Sequence, residues 1–309
     1  MRNKITFFAL GFFAFLVIAL FINATVDTST LYFPFMKGNA KEENLALPIQ
    51  TAYAVKLPSK ISFAGEEVPL DDPEIRERLD RELTVNAYWQ SSTILMLKRA
   101  NRFMPLIESV LKEEGLPDDL KYIAVIERNF DNVVSPAGAS GFWQLMKAPA
   151  NQYGLVTNDE VDERYNLEKA THAACKYLLD AKEKTGSWTA AAAAYNMGIG
   201  GVTRAQAKQG ETDYYHLLVN SETSRYVQRI IALKIIYQNP KDFGFYLSKD
   251  DVYPELKYTI QQVSTPTDWI VFAKQNNISY KLLRIYNPWI RDFSLTNREK
   301  RTYDVKIPA

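Results

Sequence analysis

The residue whose setting could do chemistry is Glu127. In LKYIAVIE, Leu120, Ile123, Ala124 and Glu127 share one helical face, so the carboxyl projects from a stripe that is otherwise apolar. Partial removal from water disfavours its ionised form, and such a group can act as a protonated acid near neutral pH. Taken alone, it could equally be a helix-end Glu that reaches solvent or pairs with Lys or Arg. A loop with Ser135, Pro136, Gly138, Ser140 and Gly141 follows, then Phe142, Trp143 and Gln144. Glycines let the backbone pass close to a bulky ligand, and the Ser135 hydroxyl can bond a ligand or its own loop. Tyr195 and Asn196 close an alanine run, where polar side chains can reach a cleft; a buried Tyr and an Asn cap are the alternative. His172, His216 and the lone Cys175 lack the spacing of a zinc site, so no metal or cofactor is expected.

These residues need helices to position them. Gly115 and Pro117 mark a boundary just before the Glu127 helix, and Asp118 and Asp119 fall in its first turn, where the helix dipole favours negative charge. Upstream, DDPEIRERLDREL at 71–83 opens with an N-cap signal, and a long pattern from Tyr88 to Glu114 has Leu95, Leu106, Ile107, Val110 and Leu111 as expected core positions. Pro105 is expected to kink or divide it. Asn166 to Lys184 predicts another helix, and Ser187 an N-cap for Trp188 to Asn196, with Gly198, Gly200 and Gly201 ending it. Thr223 to Tyr237 carries the stripe Tyr226, Ile230, Leu233 and Tyr237. Past Pro240 the pattern becomes strand, helix, helix, strand: Leu256 to Val263, a helix capped by Thr267, a second capped by Ser279, and Tyr303 to Ile307.

The chain has 309 residues, enough for an anchor, one sizeable domain and a small module. With 37 basic and 36 acidic residues, net charge is +1, which does not point to nucleic acid. MRNK followed by ITFFALGFFAFLVIALFI is a positive start and an apolar run long enough to span a bilayer core of ~30 Å. Ile22 stands where a cleavage site after Ala24 would want a small residue, so a retained anchor over 1–24 is expected, with the rest outside the cytoplasm. A short extended piece is expected at Ile61 to Val68, and residues 25–70 read as a tether.

The segments ERNF, SPAGASGFWQL and AAAAAYNMGIGG, in that order, resemble the lytic transglycosylase family that shares the goose-type lysozyme fold, and within it the membrane-bound murein transglycosylase D type. YGL at 153–155 and DERYNLEKATHAACKYL at 162–178 agree. NNISYKLLRIYNP resembles a LysM module, although Ser264-Thr-Pro-Thr-Asp268 replaces the usual start and a charged stretch widens the last turn. The resemblance implies a mainly α fold: a lysozyme-like domain over 71–240, a small α+β (βααβ) LysM-like module over 250–309 and the N-terminal anchor helix. It places the protein in the bacterial envelope, membrane-anchored and periplasmic, with peptidoglycan glycan strands as partner.

The resemblance further implies that Glu127 cleaves the bond between N-acetylmuramic acid and N-acetylglucosamine as acid and then base, leaving a 1,6-anhydro sugar. Ser135 and Asn196 would contact the sugar, Gln144 would line the cleft floor, and Tyr195 would orient the acid. Glycosidases commonly use two carboxylates. Asp131, Glu160, Asp162 and Glu163 are the sequence candidates for a second one. A muramidase that admits water, or an inactive wall-binding scaffold, are therefore the competing readings. Arg128 stands where the family usually has Ser, about 100° around the helix from Glu127, and is expected to point away from the cleft.

Overall fold

The computed structural model describes residues 53–130 and 134–309, without the side chain of Arg128. The expected anchor at 1–24, the first part of the tether, Asp131 and the direction of Arg128 lie outside the described residues. Among the described residues no helix is long and apolar enough to cross a membrane.

A two-stranded hairpin, β1 (Ser62–Phe63) and β2 (Glu66–Glu67), opens the fold. Helix α1 (Pro73–Tyr88) starts where Asp72 accepts hydrogen bonds from the Glu74 and Ile75 amides. Helix α2 (Gln90–Glu113) runs unbroken through Pro105. Pro105 lies on the exposed side, so the lost backbone bond faces water and the helix is not divided. The inward stripe is Met96, Leu97, Ala100, Met104, Ile107, Val110 and Leu111. Leu95, expected in the core, is 39% exposed, one position off that stripe.

A single 3-10 turn, Asp118–Leu120, leads into α3 (Lys121–Arg128), which carries Glu127. Helices α4 (Lys147–Gln152), α5 (Leu167–Thr185), α6 (Trp188–Met197), α7 (Ile199–Gln209) and α8 (Ser221–Gln238) complete the body. Ala190 through Ala194 are all fully buried, so α6 packs at close range against α5, α7 and α8. Gly198 does end α6, at φ 79°, but Gly200 and Gly201 lie inside α7. One glycine redirects the chain, and helix formation resumes at once. Helix α8 buries residues all round, including Val227, Ile230, Ile231, Leu233 and Ile236, and packs against α1, α3 and α6.

The hairpin is part of this body. Phe63, Val68 and Leu70 lie in the main core, so the fold recruits residues from within the stretch expected to be tether. The Glu66 carboxylate accepts from the Trp188 amide at 2.6 Å and from the Thr189 amide and hydroxyl at 2.8 and 2.7 Å, capping α6 from 122 residues away. Lys234 of α8 reaches the Ser62 carbonyl and Asp119, each at 2.7 Å, and Asp119 also takes the Ala64 amide at 2.8 Å.

In the C-terminal module β3 (Tyr258–Val263) pairs antiparallel with β6 (Tyr303–Pro308), Tyr258 opposite Pro308 and Val263 opposite Tyr303. Between them stand β4 (Thr267–Asp268), α9 (Trp269–Gln275), α10 (Tyr280–Tyr286) and β5 (Ser294–Leu295), with β4 paired to β5. Asp268, not Thr267, caps α9, its carboxylate accepting from the Ile270 and Val271 amides at 2.8 and 2.9 Å. Ser279 caps α10 as expected. The core of this module is Trp269, Trp289, Ile290 and Tyr303 together with Val156, Val161 and Tyr165 from the helical body.

Because a carboxylate that accepts several bonds at a helix N-terminus stabilises it by charge and by capping, Glu66→Ala should cost about 2 kcal/mol in urea unfolding and leave the fold two-state.

Candidate active site

Glu127 ends α3, and the chain leaves the helix by an unusual route. Asn129 and Phe130 have φ of 50° and 60°, two successive non-glycine residues in the left-handed region, a conformation that the surroundings must enforce. The Asn129 side chain donates to the Ser92 hydroxyl at 2.7 Å, and Arg99 donates to the Asn129 carbonyl at 3.1 Å. Phe130 is buried against Phe103, ring centroids 5.7 Å apart, and Phe103 packs on Phe142 at 4.9 Å. Helix α2 therefore holds the turn on which Glu127 stands.

The carboxyl of Glu127 is half-buried and accepts a hydrogen bond from the Tyr226 hydroxyl. Burial, the adjacent Glu127 carboxyl and that hydrogen bond hold the Tyr226 phenol well above its ordinary value. It therefore stays a donor at and well above neutral pH. In the sequence Tyr226 stands only as one member of an apolar stripe. What the sequence could have shown is a Tyr on the buried stripe of the helix that packs beside the acid, since a buried phenol needs a polar partner.

Tyr195 lies close to the same carboxyl, and burial, together with that carboxyl, raises its phenol well above the ordinary value. Its hydroxyl donates to the Trp143 carbonyl at 2.8 Å, and its ring packs edge-on against Tyr177, centroids 5.2 Å apart. The Tyr226 hydroxyl is thus hydrogen-bonded to the acid, and the Tyr195 hydroxyl beside it ties down the loop. Asn196 donates to Glu222 at 3.2 Å and accepts from the Thr223 hydroxyl at 2.7 Å. That places Glu222 beside it, one turn before Tyr226 on α8.

The loop from Val134 to Leu145 is fastened from several sides. The Ser135 hydroxyl accepts from the Ala139 amide at 3.0 Å, the use within its own loop that sequence analysis left open. Trp143 is fully buried and its indole donates to Thr171 at 2.9 Å. Gln144, at φ 46° and buried, donates to the Gly141 carbonyl at 2.8 Å. Arg164 donates to the Gly138 and Leu145 carbonyls at 3.0 and 3.1 Å, while Asp162 holds its guanidinium at 2.9 and 2.7 Å. Gly141 has φ 78°, and a Cβ there would stand 1.8 Å from the Arg164 carbonyl oxygen. DERY thus supplies a clamp that sequence analysis did not assign to the site.

Of the sequence candidates for a second carboxylate, those in the description are engaged elsewhere. Asp162 is bound to Arg164, Glu163 accepts from Lys169 at 2.5 Å and from the Val156 amide at 2.8 Å, and Glu160 takes the Thr296 amide at 2.9 Å. Among the described residues no group of His, Cys, Asp and Glu could hold a metal ion.

The sequence that builds this site matches known family models. Residues 104–218 match the transglycosylase SLT domain, and residues 259–309 match the soluble lytic transglycosylase C-terminal LysM-like domain. The chain belongs to the lytic transglycosylase family. It is 29% identical over 243 residues to membrane-bound lytic murein transglycosylase D of Escherichia coli K12, a match covering 76% of this chain and 52% of that protein. The chain thus spans about half the length of that relative. It is 30% identical to a protein of Alteromonas sp. (strain M-1) named for tributyltin chloride resistance, over 66% of this chain and 96% of the other. Among solved structures, an inactive mutant of the lytic transglycosylase Slt from Pseudomonas aeruginosa is similar at 22% identity, over 49% of this chain and 26% of that one. Its TM-score of 0.35 is too low to carry an argument.

Gly141→Ala must displace backbone and adopt a left-handed conformation with a side chain, so it should destabilise by at least about 2 kcal/mol in chemical denaturation.

Proposed function

We propose that this protein is a peptidoglycan lytic transglycosylase that cleaves the β-1,4 bond between N-acetylmuramic acid and N-acetylglucosamine. The observation that carries the reading is one half-buried carboxyl, Glu127, held by a neutral phenol and neighboured by Tyr195, whose hydroxyl is bound to the Trp143 carbonyl of the clamped loop. In the first step the Glu127 carboxyl gives its proton to the glycosidic oxygen, and the bond from that oxygen to the anomeric carbon breaks. The N-acetylglucosamine side leaves with a hydroxyl. The Glu127 carboxylate then takes the proton of the muramic acid 6-hydroxyl as its oxygen bonds to the same anomeric carbon. The 1,6-anhydro ring closes, Glu127 is protonated again, and no water is consumed. A nucleophile within the substrate needs no second protein carboxylate, and its effective concentration can reach on the order of 10⁵ M or more.

Tyr226 orients Glu127 in both steps. A hydroxyl donor can serve the carboxylate formed between them without neutralising it. Asn196, beside Glu222, faces the sugar, and Ser135 and Gln144 shape the cleft from within their loop. Tyr195 acts through the Trp143 carbonyl, on the position of the loop. The engagement of Asp162, Glu163 and Glu160 in structural bonds favours this chemistry over hydrolysis with a carboxylate base. The domain covers 71–240 with support from the hairpin before it, and the LysM-like module covers 250–309. Residues 1–24 anchor the protein in the membrane, with the domain in the periplasm facing peptidoglycan.

Incubation of the protein with purified peptidoglycan, followed by mass analysis of soluble products, tests the reading. Anhydro-muramyl ends should form, and Glu127→Gln should lower their rate by at least about 10²-fold while melting like the wild type. Reducing ends would mean hydrolysis, and no products would mean a wall-binding protein. Tyr226→Phe, which loses only the donor, should lower kcat by about tenfold or more with little change in KM.

A further inference from the structure

The segment from Val156 to Tyr165 has two sides, and they serve two modules. On one side Val156, Val161 and Tyr165 are buried in the core of the C-terminal module with Trp269, Trp289 and Tyr303. Val161 bridges Ile290, and the Asp162 amide donates to the Trp289 carbonyl at 2.9 Å. The Arg291 amide donates to the Glu160 carbonyl at 2.9 Å, and its guanidinium lies 4.2 Å over the Tyr165 ring. Thr296 adds its amide and hydroxyl to the Glu160 carboxylate at 2.9 and 3.1 Å. On the other side Arg164 grips the Gly138 and Leu145 carbonyls of the active-site loop.

Asp162 joins the two sides in one residue. Its amide is bound to the C-terminal module and its carboxylate orients the guanidinium that grips the loop. A module whose work was only to bind wall sugars would need no such bonds. A flexible polar linker would suffice.

We infer that the C-terminal module positions the active-site loop, with Arg291 and Glu160 as positioning residues that act through Asp162 and Arg164. Loosening the 289–296 strap frees the DERY turn, and the clamp on Gly138 and Leu145 slackens with it. The catalytic consequence of this inference rests on the proposed transglycosylase reading; the mechanical link does not.

The test uses the full chain with Arg291→Ala and Glu160→Ala, singly and together, and Thr296→Val as a milder change. Amide hydrogen exchange over 135–145, a stretch that none of these substitutions touches, should rise in the double variant by about threefold or more at a melting temperature close to wild type. Cleavage is then measured on short, soluble, peptide-free glycan strands and on insoluble sacculi. If the inference holds, kcat falls by about threefold to tenfold on both substrates while KM stays within about twofold, because the loop is misplaced and not the wall contact. Unchanged exchange over 135–145 overturns the inference, as does a loss confined to KM on sacculi. A variant that fails to fold leaves Thr296→Val, for which the same rise in loop exchange, smaller in size, is required. Should the wild type release no anhydro product from either substrate, the functional reading fails, and loop exchange alone decides the mechanical link.

Discussion

The bidentate pair of Asp162 and Arg164 is the constraint on which the site depends. Both side chains are about one-tenth exposed, so the guanidinium is fixed by its partner and has little water to trade places with. Removal of one member of such a pair typically costs about 3–5 kcal/mol, because the other is left buried and uncompensated. Two consequences follow for the loop. Its carbonyls at Gly138 and Leu145 are bound by a charged donor, which makes them stiffer than a solvated glycine-rich stretch would be. Its backbone at Gly141 also comes so close to Arg164 that only glycine fits. Gly141 is therefore glycine because it is packed against other backbone, whereas Gly138 has open space around it and a left-handed backbone at φ 87°.

Much of this was legible in the sequence, and the parts that were not share a physical reason. Helix identities followed from local signals: Ser187 before an alanine run, Ser279 before Tyr280, and the apolar stripe that surrounds Glu127. Element ends and partners were less accessible, because they depend on residues far away in the chain. Glu66 caps a helix that begins at Trp188, and no reading of either segment alone can pair them. Pro105 was expected to kink or divide a helix; the helix is not divided, and the exposed position of Pro105 lets it absorb the missing bond. Gly198 was read correctly as a stop, whereas Gly200 and Gly201 were not, because the rule for helix ends says nothing of a second helix starting on the next residue.

The site shows the same division. Glu127 was visible because a charge on an apolar stripe is a local anomaly. Tyr226 was not, because a tyrosine on an apolar stripe is an ordinary core residue until its hydroxyl is seen to face a carboxyl. Arg164 was hidden in a motif whose value lies in bonds to carbonyls, and carbonyls are present at every position. Ser135 and Gln144 direct hydrogen bonds to their own loop, so their side chains help to hold it in place.

The proposed chemistry sets a demand: Glu127 would be proton donor and then acceptor without moving far. Strained backbone just after Glu127, held by α2 through Ser92 and Arg99, limits that movement. The Tyr226 phenol limits it further and, being too strongly held as the neutral form to ionise, adds no competing charge. Asp162, Glu163 and Glu160 are drawn into the scaffold, by Arg164, Lys169 and Thr296. Through Arg164, Asp162 also helps to hold the loop. On the proposed reading, negative charge is divided between Glu127, which handles protons, and the carboxylates held in the scaffold, and chemistry that uses the substrate's own hydroxyl suits that division.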